Sequence, residues 1–110
     1  MNYQQLTDQG RSLIKLNKLS EAKFLFEKAL KLRPDFAEAL TNLAITEHDL
    51  GNLNHAVRLY KKAVDVDPEI ALKSENKILS VIYYFSQHNI KEALEILNVL
   101  IDQSPKDALL

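Results

Sequence analysis

The sequence predicts an all-α fold of antiparallel helix hairpins stacked in one direction, an α-solenoid, and three observations predict it. Ala22, Ala29 and Pro34 reappear as Ala56, Ala63 and Pro68, each 34 positions later. Leu6/Leu40, Thr7/Thr41, Leu19/Leu53, Leu25/Leu59 and Lys28/Lys62 keep the same offset, and Phe26 is answered by Tyr60. A third, looser copy follows at an offset of 37, where Ala93, Leu97 and Pro105 answer Ala56, Tyr60 and Pro68. Self-similarity at such an interval marks repeats that bury their apolar faces on one another. A chain of this kind presents an extended surface and does not enclose an active site.

The elements follow in order. The first helix is expected from about Tyr3 to Leu16, with Leu6, Leu13 and Leu16 spaced one to two turns apart. The second carries Ala22, Leu25, Phe26, Ala29, Leu30 and Leu32 as a wide apolar stripe, with Ser20 as its N-cap. Pro34 ends it, because proline lacks the N–H and restricts the residue before it. Asp35 with Glu38 reads as a capping box for the third helix, which stops at Gly51. Asn54 is the expected cap of the fourth helix, which ends before Pro68. A fifth lies between Glu69 and Gln87, where Ile78, Val81, Ile82 and Phe85 form an i, i+3, i+4, i+7 face. Asn89 with Glu92 begins a sixth, which runs to about Gln103. The connections are short, so consecutive helices must lie antiparallel.

Composition bounds the rest. A chain of 110 residues suits one domain, and 46% apolar residues suffice for a core. Cysteine is absent, which removes a disulfide framework and agrees with a reducing compartment. The N-terminal residues lack a basic stretch followed by an apolar run, and no apolar segment is long enough to span a bilayer, so a cytoplasmic protein without membrane attachment is expected. The net charge of −1 favours neither nucleic acid nor an acidic membrane. The charge is unevenly spread, with seven Lys/Arg against three Asp/Glu in residues 1–33 and seven against twelve beyond. The aromatics beside these basic residues, Phe24, Phe26 and Tyr60, are expected mostly on the apolar face, so nucleic-acid binding is not expected.

At these positions the chain resembles the tetratricopeptide repeat family. Its 34-residue unit keeps small residues where this chain has Gly10, Ala22 and Ala29, then Ala44, Ala56 and Ala63. Large apolar residues match at Leu6, Leu13, Leu19 and Phe26, then at Leu40, Leu43, Leu53 and Tyr60, with prolines at Pro34 and Pro68 and the turn glycine at Gly51. Gln9 and Glu47 depart from the pattern, standing where the family usually keeps a large apolar side chain. The resemblance implies one domain over 1–110 with repeats at about 3–36, 37–70 and 71–107, wound into a right-handed superhelix. The third repeat carries three extra residues, placed at the start of its first helix.

The resemblance also implies that the first helix of each unit lines a concave groove. Carried across residue by residue, that groove comprises Gln4, Thr7, Asp8, Arg11, Ile14 and Lys15, then Glu38, Thr41, Asn42, Ile45, His48 and Asp49. Leu79, Tyr83 and Ser86 would add the third unit. Such a mixed surface suits an extended or helical peptide segment of a protein partner. The family's carboxylate-clamp branch is not expected, because Thr7 and Arg11 stand where it needs a lysine and an asparagine, and only Asn42 fits.

No catalytic set is legible, since the chain lacks a cysteine nucleophile, a glycine-rich phosphate loop and a helical His-Glu-x-x-His. His48, Asp49 and His55 straddle the Gly51 turn without a third ligand fixed by spacing, so no metal and no cofactor are expected. The sixth helix is apolar on more than one side. Leu97, Leu100 and Ile101, with Leu109 and Leu110 after Pro105, are therefore expected to be covered by a second copy or by continuing chain. The expected function is a non-catalytic protein-interaction scaffold, and the alternative is a targeting or regulatory module of a larger enzyme such as a glycosyltransferase.

Overall fold

The computed structural model describes residues 1–69, and these form four helices: α1 (Tyr3–Lys15), α2 (Leu19–Leu32), α3 (Ala37–Asp49) and α4 (Leu53–Val66). Helix α1 packs on α2 and α3 on α4, while α3 also lies against α2 and, at one edge, α1. The result is two hairpins stacked through α2 and α3, an all-α repeat architecture. The fifth and sixth helices, the third repeat and the register argued for it lie outside the described residues.

Small residues make the hairpins close. A Cβ built on Gly10 would overlap the Phe26 ring, with the nearest ring carbons at 2.4–2.9 Å. Phe26 therefore fills the space a side chain on α1 would have taken, and it is fully buried. Ala22, Ala29, Ala44, Ala56 and Ala63 are buried in the same way. One cluster joins Leu6, Ala29 and Ala39, with Tyr3, Leu25, Leu30 and Phe36 around it. The other joins Ala22, Phe26 and Leu43, with Leu13, Ile14, Leu30 and Leu59 around it. Each cluster spans both hairpins, so the repeat interface is part of one core. Burying each large side chain here contributes roughly 1.5–3 kcal/mol.

The same turn closes both hairpins. Asn17 (φ 58°) and Gly51 (φ 88°), which are 34 residues apart, adopt the left-handed conformation. Behind them Lys18 N donates to Leu13 O at 2.9 Å and Asn52 N to Glu47 O at 2.8 Å, while Asn17 N and Gly51 N reach Ile14 O and His48 O. This paired geometry is a Schellman motif. It moves the helix starts away from the expected caps. Helix α2 begins at Leu19 behind Lys18, with Ser20 already inside it, and α4 begins at Leu53 behind Asn52, with Asn54 inside it. Neither N-cap makes a side-chain hydrogen bond.

The capping box expected at Asp35 and Glu38 is also absent, since α3 begins behind Phe36 without a side-chain cap. Asp35 instead accepts from Arg33 Nε at 3.3 Å. Arg33 lies over the rings of Tyr3 and Phe36, whose centroids are 4.8 Å apart edge to face, and donates to Tyr3 Oη at 3.1 Å. The full capping box is at α1, where Asn2 and Gln5 exchange hydrogen bonds of 2.8 and 3.0 Å. Three apolar residues expected in the core stripes, Leu16, Phe24 and Leu32, are exposed.

Candidate functional site

Two side chains on α1 and α3 are joined by an ion pair between repeats. Arg11 Nη1 approaches Glu38 Oε1 at 3.1 Å, and Gln4 Nε2 reaches Glu38 Oε2 at 3.3 Å and Asp8 Oδ1 at 3.0 Å. Asn42 sits one turn beyond Glu38 and donates from Nδ2 to the Glu38 carbonyl at 2.8 Å. Gln4, Asp8, Arg11, Glu38 and Asn42 thus form one connected polar strip across both hairpins. Mixed donors and acceptors are held in place there, and among the described residues the Asn42 amide oxygen stays open to another partner.

The remaining predicted groove residues divide. Ile14 and Ile45 are half-buried and Lys15 is exposed. His48 Nδ1 lies 3.6 Å from Asp49 Oδ1 at the far end of α3. Thr7 and Thr41 are corrected: both are buried and offer no surface to a ligand. Each hydroxyl turns back onto the carbonyl four residues earlier, Tyr3 O at 2.8 Å and Ala37 O at 2.9 Å, so the rest of the side chain packs as an apolar group. Leu79 and Tyr83, with Ser86, lie outside the described residues. So do Leu97, Leu100, Ile101, Leu109 and Leu110.

A cluster that pattern reading did not assemble lies behind this face. Glu47 is 1% exposed, yet it is ringed by partners from three segments. Lys23 Nζ of α2 is 3.1 Å from Oε1, Asn52 Nδ2 reaches the same oxygen at 3.5 Å, and His55 Nδ1 of α4 donates to Oε2. Burial pushes the Glu47 carboxyl upward, but the His55 and Lys23 hydrogen bonds, the charge of Lys23 and the Asn52 amide outweigh it and hold the group below its ordinary value. The signal was present in the sequence: a carboxylate stands where the pattern calls for an apolar residue. His55 is committed to Glu47 and His48 to Asp49, and no three metal-ligating side chains gather among the described residues. Burial, and then the charge of Asp49, push the buried Tyr60 phenol upward.

Stacked hairpins with a structured polar face define a helical-repeat protein of the interaction class. The sequence model of the tetratricopeptide repeat matches residues 7–71. The chain belongs to the tetratricopeptide repeat family. Its repeats generally mediate protein–protein interaction and typically act as non-catalytic modules. No described helix is long and apolar enough to cross a membrane.

Proposed function

We propose that this protein is a cytoplasmic, non-catalytic scaffold that holds a peptide or helical segment of a protein partner against the face formed by α1 and α3. The observation that carries this reading is the polar strip Gln4–Asp8–Arg11–Glu38–Asn42. Four polar side chains on two helices are linked at 3.0–3.3 Å and Asn42 is tied to the Glu38 carbonyl at 2.8 Å, so a ligand meets donors and acceptors whose rotamers are largely set. Pre-set partners reduce the ordering cost of binding. Ile45 offers the strip an apolar contact, and Lys15, His48 and Asp49 extend it along the helices. Leu79 and Tyr83 continue the same face by the repeat pattern, and Leu97, Leu100, Ile101, Leu109 and Leu110 serve self-association or continuation of the array.

Peptide arrays probed with the intact chain test this reading. Arg11→Ala and Asn42→Ala are expected to lose the array signals that the unaltered chain gives. Equal signals from all three proteins would move the binding face elsewhere.

A further inference from the structure

The face of α2 turned away from the second hairpin carries an open crevice that the proposed groove does not use. Phe24, Leu32 and Met1 are 61%, 59% and 66% exposed. With Leu6, Lys28 and Lys31 they line a hollow of about 470 Å³. A second hollow of about 410 Å³, lined by Leu13, Ser20, Glu21 and Leu25, shares Phe24 with the first. The two make one trough along the α1–α2 seam. It is about as long as α2, roughly 20 Å at 1.5 Å per residue, which is the length of a helix of about 13 residues.

The repeat supplies its own control. The residue equivalent to Phe24 is Arg58, which is exposed, so the fold does not require an aromatic at this position. Leu59, the equivalent of Leu25, packs on the Ala22–Phe26–Leu43 cluster of the neighbouring hairpin. Leu25 likewise packs on a core cluster, that of Leu6, Ala29 and Ala39, but it also lines the open trough. A further hairpin of the same kind does not fit there. Ala39 and Leu43, which α3 buries at its interface with the first hairpin, are replaced on α1 by Gln5 and Gln9. Stacking another repeat would bury two glutamine amides against an apolar surface, which costs free energy unless they find partners.

Charge indicates what does fit. Lys28 lies over the Phe24 ring at 5.3 Å, and among the described residues neither Lys28 nor Lys31 has a carboxylate partner. Both lysines stand at the Leu32 end of the trough, and Glu21 stands at the other. Apolar floor and basic rim are the complement of an amphipathic helix with acidic residues towards one end. We propose that the α1–α2 trough, centred on Phe24, docks an acidic amphipathic helix of a partner protein, at a site separate from the α1–α3 face.

Fluorescence anisotropy with a labelled synthetic helix tests this, using leucines at i, i+3, i+4 and i+7, glutamates near one end, and a lysine-for-glutamate counterpart. The acidic peptide should bind the intact chain and the basic one should not. Phe24→Arg borrows the residue of the second hairpin, so it should keep the thermal melt while weakening binding by about tenfold or more, as loss of a central aromatic anchor does. Lys28→Glu with Lys31→Glu should transfer the preference to the basic peptide. Undiminished binding by Phe24→Arg would overturn the proposal, as would its loss in Asn42→Ala, which would place the peptide on the α1–α3 face. Dimerisation of the chain abolished by Phe24→Arg would make a second copy the occupant and overturn it too. Binding to phosphatidylserine vesicles without binding to the peptide would overturn it in favour of a lipid surface.

Discussion

Lys23 on α2 and Glu47 on α3 meet at 3.1 Å across the joint between the hairpins, with the lysine side chain 33% exposed and the glutamate side chain 1%. The asymmetry decides what each substitution does. Removing the lysine leaves the buried carboxylate with His55 and Asn52 alone, whereas removing the glutamate leaves a lysine that can turn to water.

Lys23→Met, which keeps the apolar stem, should therefore destabilise the chain by about 1–3 kcal/mol. Glu47→Leu, which restores the apolar residue the repeat pattern calls for, should be within about 1 kcal/mol of the parent or more stable. Urea denaturation of the two variants side by side measures the difference, and equal losses in both would contradict the asymmetry.

Acid stability follows from the same carboxylate. The folded-state pKa of Glu47 is lowered, so its contribution is full above the ordinary carboxylate range and is lost as pH falls through the folded value. The parent should lose stability on acidification more steeply than Glu47→Leu. Parallel pH curves for the two proteins would show that Glu47 makes no such contribution.

At Gly10 the geometry predicts a clash. A methyl group there would meet the ring of Phe26, which is itself fully buried. Alanine gains up to about 1 kcal/mol in helix propensity, but overpacking of about 1–3 kcal/mol outweighs it. Thermal melting of Gly10→Ala should show net destabilisation. A gain in stability would mean that the ring has room to shift.

The two turns should respond in opposite directions. Gly51→Ala meets no neighbouring atom, but its φ of 88° strains an alanine by about 1 kcal/mol. Asn17→Gly places a glycine at the matching position and should hold or slightly raise stability. Chemical denaturation of both variants checks the pair, and a stabilised Gly51→Ala would contradict it.

Much of the fold was legible because it repeats. Pro34, Pro68, the alanines and the Phe26/Tyr60 pair place four helices to within a few residues. The helix starts were misread at Ser20, Asp35 and Asn54 for a physical reason. The Schellman turns at Asn17 and Gly51 fix where α2 and α4 begin, so a good capping residue nearby does not decide it. At α3, Arg33 occupies the Asp35 carboxylate.

The site was legible in part. Arg11 and Glu38 pair across the hairpins and Gln4 links Glu38 to Asp8, while Asn42 bonds the Glu38 carbonyl on its own helix. Thr7 and Thr41 do not share that surface, because they are buried and their hydroxyls bond the backbone, which residue type alone does not reveal. Phe24 was expected with Phe26 on the apolar face. It stands two residues from Phe26, about 200° around the helix, and that carries it to the outside.

Chemical-shift mapping of an array-selected peptide on the intact chain tests the central claim most directly. The account predicts the largest shifts at Asp8, Arg11, Glu38, Asn42 and Ile45, with loss of binding in Arg11→Ala. Asn42→Ala removes one part-buried side-chain bond to a helical carbonyl and should stay folded while binding less well. Shifts absent from these five residues, with undiminished binding by both variants, would contradict it.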